Sequence, residues 1–128
     1  SIEWARRMKD AGCTSIACGM ETGSQKMLNI MQKVATIEQN KNALQCIAEN
    51  DLDTCLQLVL GMPGETDETI KETMEFTDFY TQVSPKIDPN NMGTNFAQAL
   101  PGTPLYEYAR RKGFIGQSVK EEEKYIAI

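Results

Sequence analysis

Three short apolar runs, rich in residues that favour β-strands, recur along the chain at an even interval. They are SIACGM from Ser15, CLQLVLGM from Cys55 and TNFAQAL from Thr94, and their first residues are 40 and then 39 positions apart. Each run ends in a turn that contains glycine or proline, and a helical pattern follows it. Strands that alternate with helices at this spacing predict parallel βα units.

The intervening helices carry start signals. A short helix is predicted from Ser24 to Gln32, and a second begins at Thr36, where Gln39 completes a capping box. Thr66 is the predicted cap of the helix after the second run. Thr103 is the predicted cap after the third run, with proline in the first helical position and a glycine stop at the far end.

The apolar positions of these helices predict the faces that pack on the sheet. Residues at helical spacing share one face of each helix. In chain order these are Trp4, Met8 and Ala11, then Met27, Leu28 and Met31, then Ala43, Leu44, Ile47 and Ala48, and finally Ile70, Met74 and Thr77.

The predicted order is α-βαα-βα-βα, which is an α/β chain of three parallel βα units. Three strands with helices outside them cannot close a barrel, and both sheet edges would be exposed. We therefore expect the chain to be part of a larger structure. Two alternatives stay open: a self-contained α/β ligand-binding module, and a structural fragment that forms a homodimer through its exposed strand edges.

Composition narrows the class of protein. The 128 residues suit a single domain, and 41% apolar with 24% charged residues is ordinary for a soluble globular chain. No apolar run approaches the ~20 residues of a membrane span, so a cytoplasmic protein without a membrane segment is expected. The net charge is −5 and no basic stripe is present, so nucleic-acid binding is not expected.

The metal-binding and nucleophilic residue types are sparse. The chain has no histidine, which excludes histidine-dependent triads and removes the commonest zinc ligand. The four cysteines form no C-x-x-C pair, and buried reduced thiols are favoured over metal ligation. They are Cys13, Cys18, Cys46 and Cys55. No metal ligand is assigned.

The candidate chemistry lies after the strands. Ligands of parallel α/β folds bind at the carboxyl ends of the strands, where this chain carries three loops rich in glycine, proline and threonine. They cover residues 19–24, 61–66 and 100–104, and we call them the rim loops. Exposed backbone and helix starts suit a ligand with a carboxylate or ribose hydroxyls. Turn chemistry alone explains the same residue types about equally well.

Glu21 is the most specific candidate in the rim loops. Strand alternation places it on one face with Ala17 and Gly19, away from the more apolar face expected to meet the helices. An inward carboxylate needs a partner, which is either Lys33 or a zwitterionic ligand that both side chains contact. Two interpretations of Gln57 stay open, an inward amide on the same face or a buried amide satisfied by its neighbours, and whether Asn95 or Gln98 faces inward stays open as well.

Three motifs in order resemble those of radical S-adenosylmethionine (SAM) enzymes. GMETGSQKMLNIMQK is similar to their G-I-E-S-G-S-x-x-x-L-x-x-M-x-K segment, GMPGETDETIKET to G-x-P-G-E-T-x-E-x-I-x-x-T, and ALPGTPLYEYARRKG to P-G-T-P-L-Y-x-x-A. The likeness covers nearly the whole chain. It is greatest to the iron–sulfur oxidoreductases that carry a cobalamin-binding domain, such as anaerobic magnesium-protoporphyrin monomethyl ester cyclases.

The resemblance implies a fold and cofactors. Residues 1–116 would form strands four to six of a partial (β/α)6 TIM-like barrel, the C-terminal half, and residues 117–128 a tail or partial helix. Family members cleave SAM reductively at a [4Fe-4S] cluster to form a 5′-deoxyadenosyl radical. A C-x3-C-x2-C loop holds that cluster, and this chain lacks one. The resemblance thus implies a fragment that is not catalytic alone, whose partner is the remainder of the parent barrel, with cobalamin possible in the parent.

The resemblance also implies which residues would contact the cofactor. Glu21 and Thr22 match the E-S pair of the family motif, with threonine in place of serine, and Lys33 matches the basic residue near the SAM carboxylate. The residues that match segments along the adenosine are Met62, Pro63, Gly64, Glu65 and Leu100.

Overall fold

The computed structural model describes residues 2–83 and 92–116, and the chain divides into two compact units, Ser1–Phe96 and Ala97–Ile128. In chain order the first unit contains α1 (Ile2–Asp10), β1 (Ser15–Glu21), α2 (Gln25–Ile30), α3 (Ile37–Glu49), β2 (Asp53–Leu60), α4 (Asp67–Val83) and β3 (Met92–Phe96). The second unit contains α5 (Pro104–Arg111). The predicted alternation of strands and helices is confirmed. The predicted tail at 117–128 lies outside the described residues.

The three strands form one parallel sheet in the order β1-β2-β3. Gly19 of β1 lies opposite Gln57 of β2, which in turn lies opposite Gly93 of β3. The β1–β2 register shifts between Gly19 and Glu21, so β1 ends in an irregularity. Because the strands are parallel, the loops that follow β1 and β2 leave from the same edge of the sheet, as predicted.

The third strand starts and ends earlier than the sequence predicted. Its start at Met92 precedes the predicted Thr94, and its end at Phe96 leaves residues 97–100 outside the sheet. The ladder gives the reason, because Phe96 pairs with Leu60, the last residue of β2. Beyond that point β3 has no neighbour to donate to or accept from, and an unpaired strand has little to hold it.

The helices α1, α3 and α4 pack on one face of the sheet. The main cluster joins strand and helix side chains, and a second cluster lies towards the start of the strands. The main cluster contains Met20, Leu44, Leu56, Leu58, Phe76 and Tyr80, with Cys18 and Met92 packed against it. The second contains Ala5, Ile47 and Leu52, with Ile16 and Cys18 against it. This confirms that the more apolar face of β1 meets the helices.

The predicted inner face of α4 is wrong. Ile70 and Met74 are 39% and 62% exposed, whereas Thr73, Phe76 and Tyr80 are buried. The two aromatic side chains bury more apolar surface than the pair expected there, which favours this rotation of the helix. In α1, similarly, the buried residue is Ala5, and the predicted Met8 is 38% exposed.

Three further local predictions are confirmed. Thr36 and Gln39 form the reciprocal capping box of α3. Leu28 of α2 and Leu44 of α3 are buried. In the second unit the Thr103 hydroxyl accepts from the Tyr106 amide at the start of α5. These features depend on residues three or four apart, which is why the sequence reveals them.

Within residues 2–83 and 92–116, no helix has both the length and the apolar character that a membrane crossing requires.

Candidate functional site

The end of β1 is a strained turn centred on Glu21. This residue has a φ of 67°, in the left-handed region, and the Thr22 amide donates to the Met20 carbonyl at 2.8 Å. A three-residue turn whose central φ is positive is the rare, strained form of the γ-turn. Such conformations persist only when their surroundings hold them, so an observed one points to a functional role.

The turn directs the Glu21 carboxylate over the sheet face that α1, α3 and α4 leave uncovered, which we call the open face. A Cβ built at Gly19 would lie 3.1 Å from Glu21 Oε1. Gly19 and Ala17 are exposed, on the side opposite the buried Met20. The Glu21 carboxylate therefore lies over the face opposite the helices, and the absence of a side chain at Gly19 provides the space. Its direction into a barrel stays a prediction.

Lys33 is the partner of Glu21. Its Nζ lies 2.8 Å from Glu21 Oε1, with the two side chains 45% and 19% exposed, respectively. Lys33 reaches this position because α2 ends in a Schellman motif. The Lys33 amide donates to the Leu28 carbonyl, the Gln32 amide to the Asn29 carbonyl, and Gln32 has a φ of 58°.

The middle of the open face carries one amide between two glycines. Gln57 lies level with Gly19 and Gly93, and its Nε2 donates to Cys55 Sγ at 2.9 Å. A Cβ at Gly93 would lie 2.2 Å from Gln57 Oε1, so the amide leans across that glycine. Asn95 pairs with Val59 two residues further along and is exposed on the same face. The face thus carries two neutral amides, with a glycine on either side of Gln57.

The second rim loop is closed by its own glutamate. Glu65 Oε2 accepts from the Gly61 amide, and the Glu65 amide donates to the Met62 carbonyl. Gly61 and Gly64 have φ values of 82° and 95°, which require glycine. Among the described residues, the buried Glu65 Oε1 has no hydrogen-bond partner. A buried carboxylate oxygen without a hydrogen-bond donor costs free energy, so a ligand that donates a hydrogen bond to this oxygen would stabilise the loop.

The two rim loops of the first unit touch each other through α2. A Cβ at Gly64 would lie 2.8 Å from Ile30 Cδ1, so Ile30 packs directly on the second rim loop. Met62 and Pro63 are half-buried beside it. The predicted site residues Glu21, Lys33 and Met62–Glu65 therefore belong to one connected edge of the sheet.

Thr22 is placed differently from the other predicted contacts. It is 0% exposed, and its hydroxyl is bonded to Thr73 Oγ1 at 2.9 Å and accepts from the Ser24 amide at 3.1 Å. In this arrangement the hydroxyl holds the turn and does not reach the open face. A direct contact between Thr22 and a cofactor stays a prediction.

Leu100 and the third rim loop lie in the second unit. Leu100 is 52% exposed, and its carbonyl accepts from both the amide and the hydroxyl of Thr103. The loop is thus a tight turn that leads into the cap of α5. The predicted contact of Leu100 with the adenosine stays a prediction.

The threonines of α4 are the site-supporting residues that the sequence reasoning missed. Thr69 and Thr73 are buried on the inner face, and Thr73 contacts the turn after β1. The available signal was their spacing of four residues, in register with Phe76 and Tyr80. A pattern search that counts only apolar residues treats threonine as polar, so it favoured the wrong face of α4.

The cysteines do not form a metal centre. Within the described ranges, no three acidic, cysteine or histidine side chains are grouped closely enough to hold a metal ion. All four cysteines are half-buried unpaired thiols, and burial raises the pKa of the Cys18 thiol. The described residues therefore do not bring together the set of thiols that would hold an iron–sulfur cluster.

The fold and the edge define a class of protein: a parallel α/β chain with a charged pair of side chains at its strand ends. Residues 1–77 match the model of the radical SAM superfamily. The chain belongs to this superfamily.

Individual relatives agree with this assignment. The chain is 30% identical over 105 residues to an uncharacterized methyltransferase of Pyrococcus horikoshii, covering 82% of the chain and 21% of that protein. It is 35% identical over 102 residues to the anaerobic magnesium-protoporphyrin IX monomethyl ester cyclase of Cereibacter sphaeroides, covering 80% and 16%. It is 29% identical over 108 residues to the tRNA-2-methylthio-N(6)-dimethylallyladenosine synthase of Paracoccus denitrificans, covering 80% and 22%. The chain thus spans less than a quarter of each of these relatives.

The edge fits SAM better than it fits the cluster. SAM is a zwitterion at its methionyl end and carries ribose hydroxyls, and the edge presents one ammonium and one carboxylate 2.8 Å apart beside an open glycine. Each charge can exchange its present partner for the opposite charge of the ligand without leaving a charge unpaired.

Proposed function

We propose that this chain forms part of the SAM-binding site of a radical SAM enzyme and that it is not catalytic by itself. The observation that carries the proposal is the Glu21–Lys33 ion pair over the open face beside Gly19. Lys33 would bind the carboxylate of SAM, and Glu21 would accept from its ammonium or from a ribose hydroxyl. Both side chains are partly exposed, so a ligand can reach them.

The second rim loop would extend the proposed site, and residues Met62, Pro63, Gly64 and Glu65 would lie along the adenosine. For Leu100, a contact with the adenosine is proposed from the family motif alone. Glu65 Oε1 lacks a hydrogen-bond donor among the described residues, which supports a role for this loop in binding ligand hydroxyls. Thr22 would contribute by holding the turn that directs Glu21.

The parent protein is proposed to be an iron–sulfur oxidoreductase or methylase of the cytoplasm. The names of its relatives include a methyltransferase, a cyclase and a synthase, which supports this breadth without selecting a substrate. In such a parent SAM supplies the reactive group when a [4Fe-4S] cluster delivers an electron to it. The ligands of that cluster would lie outside this chain, and a cobalamin-binding domain is possible there as well.

The partner is proposed to be the remainder of the barrel. Within the described residues, β1 and β3 are the two edges of the sheet, and each has a neighbour on one side only. Further parallel strands of the parent would pair with these edges and close the barrel. A second copy of the chain is the alternative occupant, and light scattering over a range of concentrations would reveal such a homodimer.

Calorimetric titration of SAM tests the proposal. The parent protein should bind SAM, and Glu21→Gln or Lys33→Met should weaken binding by roughly tenfold, the scale of one charge-assisted hydrogen bond. Glu3→Gln is the matched control, because it removes a 2.7 Å ion pair with Arg7 on the exposed surface of α1. The parent reconstituted with iron should also show cluster absorption and cleave SAM.

Two results would contradict the proposed function. A parent that stays colourless after reconstitution contradicts the radical SAM activity. Tight binding of SAM by the 128-residue chain alone, lost in Glu21→Gln, would instead support the self-contained binding module.

A further inference from the structure

We propose that Thr73 of α4 is a positioning residue that holds the strained turn at Glu21 and so directs its carboxylate over the open face. The proposal rests on the proposed function only for the identity of the ligand. The geometry on which it depends belongs entirely to the described residues of the first unit.

The Thr73 hydroxyl has a complete set of hydrogen bonds. Its oxygen lies 3.0 Å from the Thr69 carbonyl, to which it donates, and 3.1 Å from the Gly23 amide, from which it accepts. It also lies 2.9 Å from Thr22 Oγ1. A hydroxyl has one proton and two lone pairs, so Thr22 must be the donor in this third bond.

The Thr22 hydroxyl also has its hydrogen bonds satisfied. Having donated its proton to Thr73, its oxygen accepts from the Ser24 amide at 3.1 Å. Both hydroxyls are buried, with Thr22 at 0% and Thr73 at 4% exposure. Removing one partner from a buried network leaves the others unsatisfied, which costs more than the bond itself contributes.

Close packing adds to the hydrogen bonds. A Cβ built at Gly23 would lie 2.4 Å from Phe76 Cβ, 2.6 Å from the Glu72 carbonyl oxygen and 2.7 Å from Thr73 Cα. The turn after β1 therefore rests directly on α4, with no room for a side chain between them. Residues 22–24 are held on α4, and Glu21 is the last residue of β1, directly before them.

The inner face of α4 also leads to the second rim loop. The Thr69 hydroxyl accepts from the Thr66 amide and donates to the Thr66 carbonyl, both at 2.9 Å. Thr69 thereby fixes the start of the helix where the second rim loop ends, one turn before Thr73 holds the first. Two threonines on one face of α4 thus set the positions of both loops.

Nuclear magnetic resonance of the 128-residue chain tests the proposal without any ligand. A positive φ brings the amide and α protons of the same residue unusually close, so Glu21 should show a strong intraresidue Overhauser effect between them. Thr73→Val should reduce this effect to the level of ordinary strand residues. Thr73→Ser, which keeps the hydroxyl, should retain it, as should Thr77→Val, which removes a hydroxyl bonded only to the α4 backbone.

A second readout uses the parent protein. Thr73→Val should weaken SAM binding by roughly tenfold, the scale of one lost buried hydrogen bond, while Thr73→Ser should bind like the wild type. Should Thr73→Val fail to fold, Thr73→Cys replaces the hydroxyl by a weak donor and acceptor of similar size and should give a partial loss of the Glu21 signal.

The two readouts separate the possible failures. An unchanged Overhauser effect at Glu21 in folded Thr73→Val, or its loss in Thr73→Ser, would overturn the positioning role. Failure of the wild-type parent to bind SAM would overturn the proposed function, and the Overhauser result would still decide the role of Thr73.

Discussion

The carboxylate of Glu21 and the ammonium of Lys33, twelve residues apart in the chain, meet at 2.8 Å beyond the end of β1. Each depends on a residue with positive φ that is not glycine: Glu21 itself at 67° and Gln32 at 58°. Left-handed backbone costs an L-residue roughly 1–2 kcal/mol. The ion pair is therefore assembled from two strained positions, at the edge where parallel α/β folds bind ligands.

Replacing Glu21 by glycine should weaken SAM binding without lowering the stability of the chain. Glu21→Gly removes roughly 1 kcal/mol of backbone strain and loses a partly exposed ion pair worth about 0–1 kcal/mol. We expect the free energy of unfolding in urea to equal or exceed that of the wild type, while SAM binding by the parent falls. Gln32→Gly is the control, since it relieves similar strain and keeps the carboxylate. A clear loss of stability in Glu21→Gly would show that the turn is not strained.

Two glycine substitutions in the first rim loop should have opposite effects. Gly23→Ala places a methyl group against the backbone of α4, and we expect a loss of about 1–3 kcal/mol of stability. In Gly19→Ala the new methyl group meets only the movable end of Glu21, so stability should change little and SAM affinity should fall. Urea unfolding and calorimetric titration measure the two effects. Equal losses of stability would contradict the packing of the turn on α4.

The corrected face of α4 makes a prediction about its core residues. Phe76→Ala should destabilise the chain by about 3–5 kcal/mol, because Phe76 is 2% exposed in the main cluster. Met74→Ala should cost less than about 1 kcal/mol, because Met74 is 62% exposed. Thermal or urea unfolding of the two variants checks this. A larger effect at Met74 would support the helix face that the periodicity predicted.

The burial of a cysteine thiol and a tyrosine hydroxyl should make the folded chain less stable at high pH. Burial raises the pKa of Cys18 above its ordinary 9.0 and that of Tyr80 above its ordinary 10.0. Above pH 9 the unfolded chain therefore loses these protons before the folded chain does. The contribution of each neutral group is complete below its ordinary pKa and is lost as the pH rises through its raised value.

Stability measured against pH checks this sign. The free energy of unfolding should fall above pH 9, and Cys18→Ala should have a shallower fall in that range, whatever its stability at neutral pH. A slope that is unchanged in Cys18→Ala would show that this thiol is not the titrating group.

The features that the sequence predicted correctly are local or periodic. The capping box of Thr36 and Gln39, the start of β1 at Ser15, and the burial of Leu28 and Leu44 all involve residues within a few positions of one another. Such signals depend on covalent geometry and on hydrogen bonds within one turn, so they can be recognised in the sequence without knowledge of the rest of the fold. Two of the family motifs follow β1 and β2, at the edge of the sheet where the site is proposed.

The features that it missed depend on residues far apart in the chain. The end of β3 was misplaced because it is set by the end of its neighbour β2. The face of α4 was wrong because Thr73 is held by a bond to Thr22, 51 residues away, and periodicity counts threonine as polar. Sequence patterns therefore established the elements, their order and the candidate carboxylate. The rotation of α4 and the bonding of Thr22 came from packing, because a buried polar group is stable only where the folded chain supplies its partner. For Glu21 the structure selected Lys33 from the two partners that the sequence had left open.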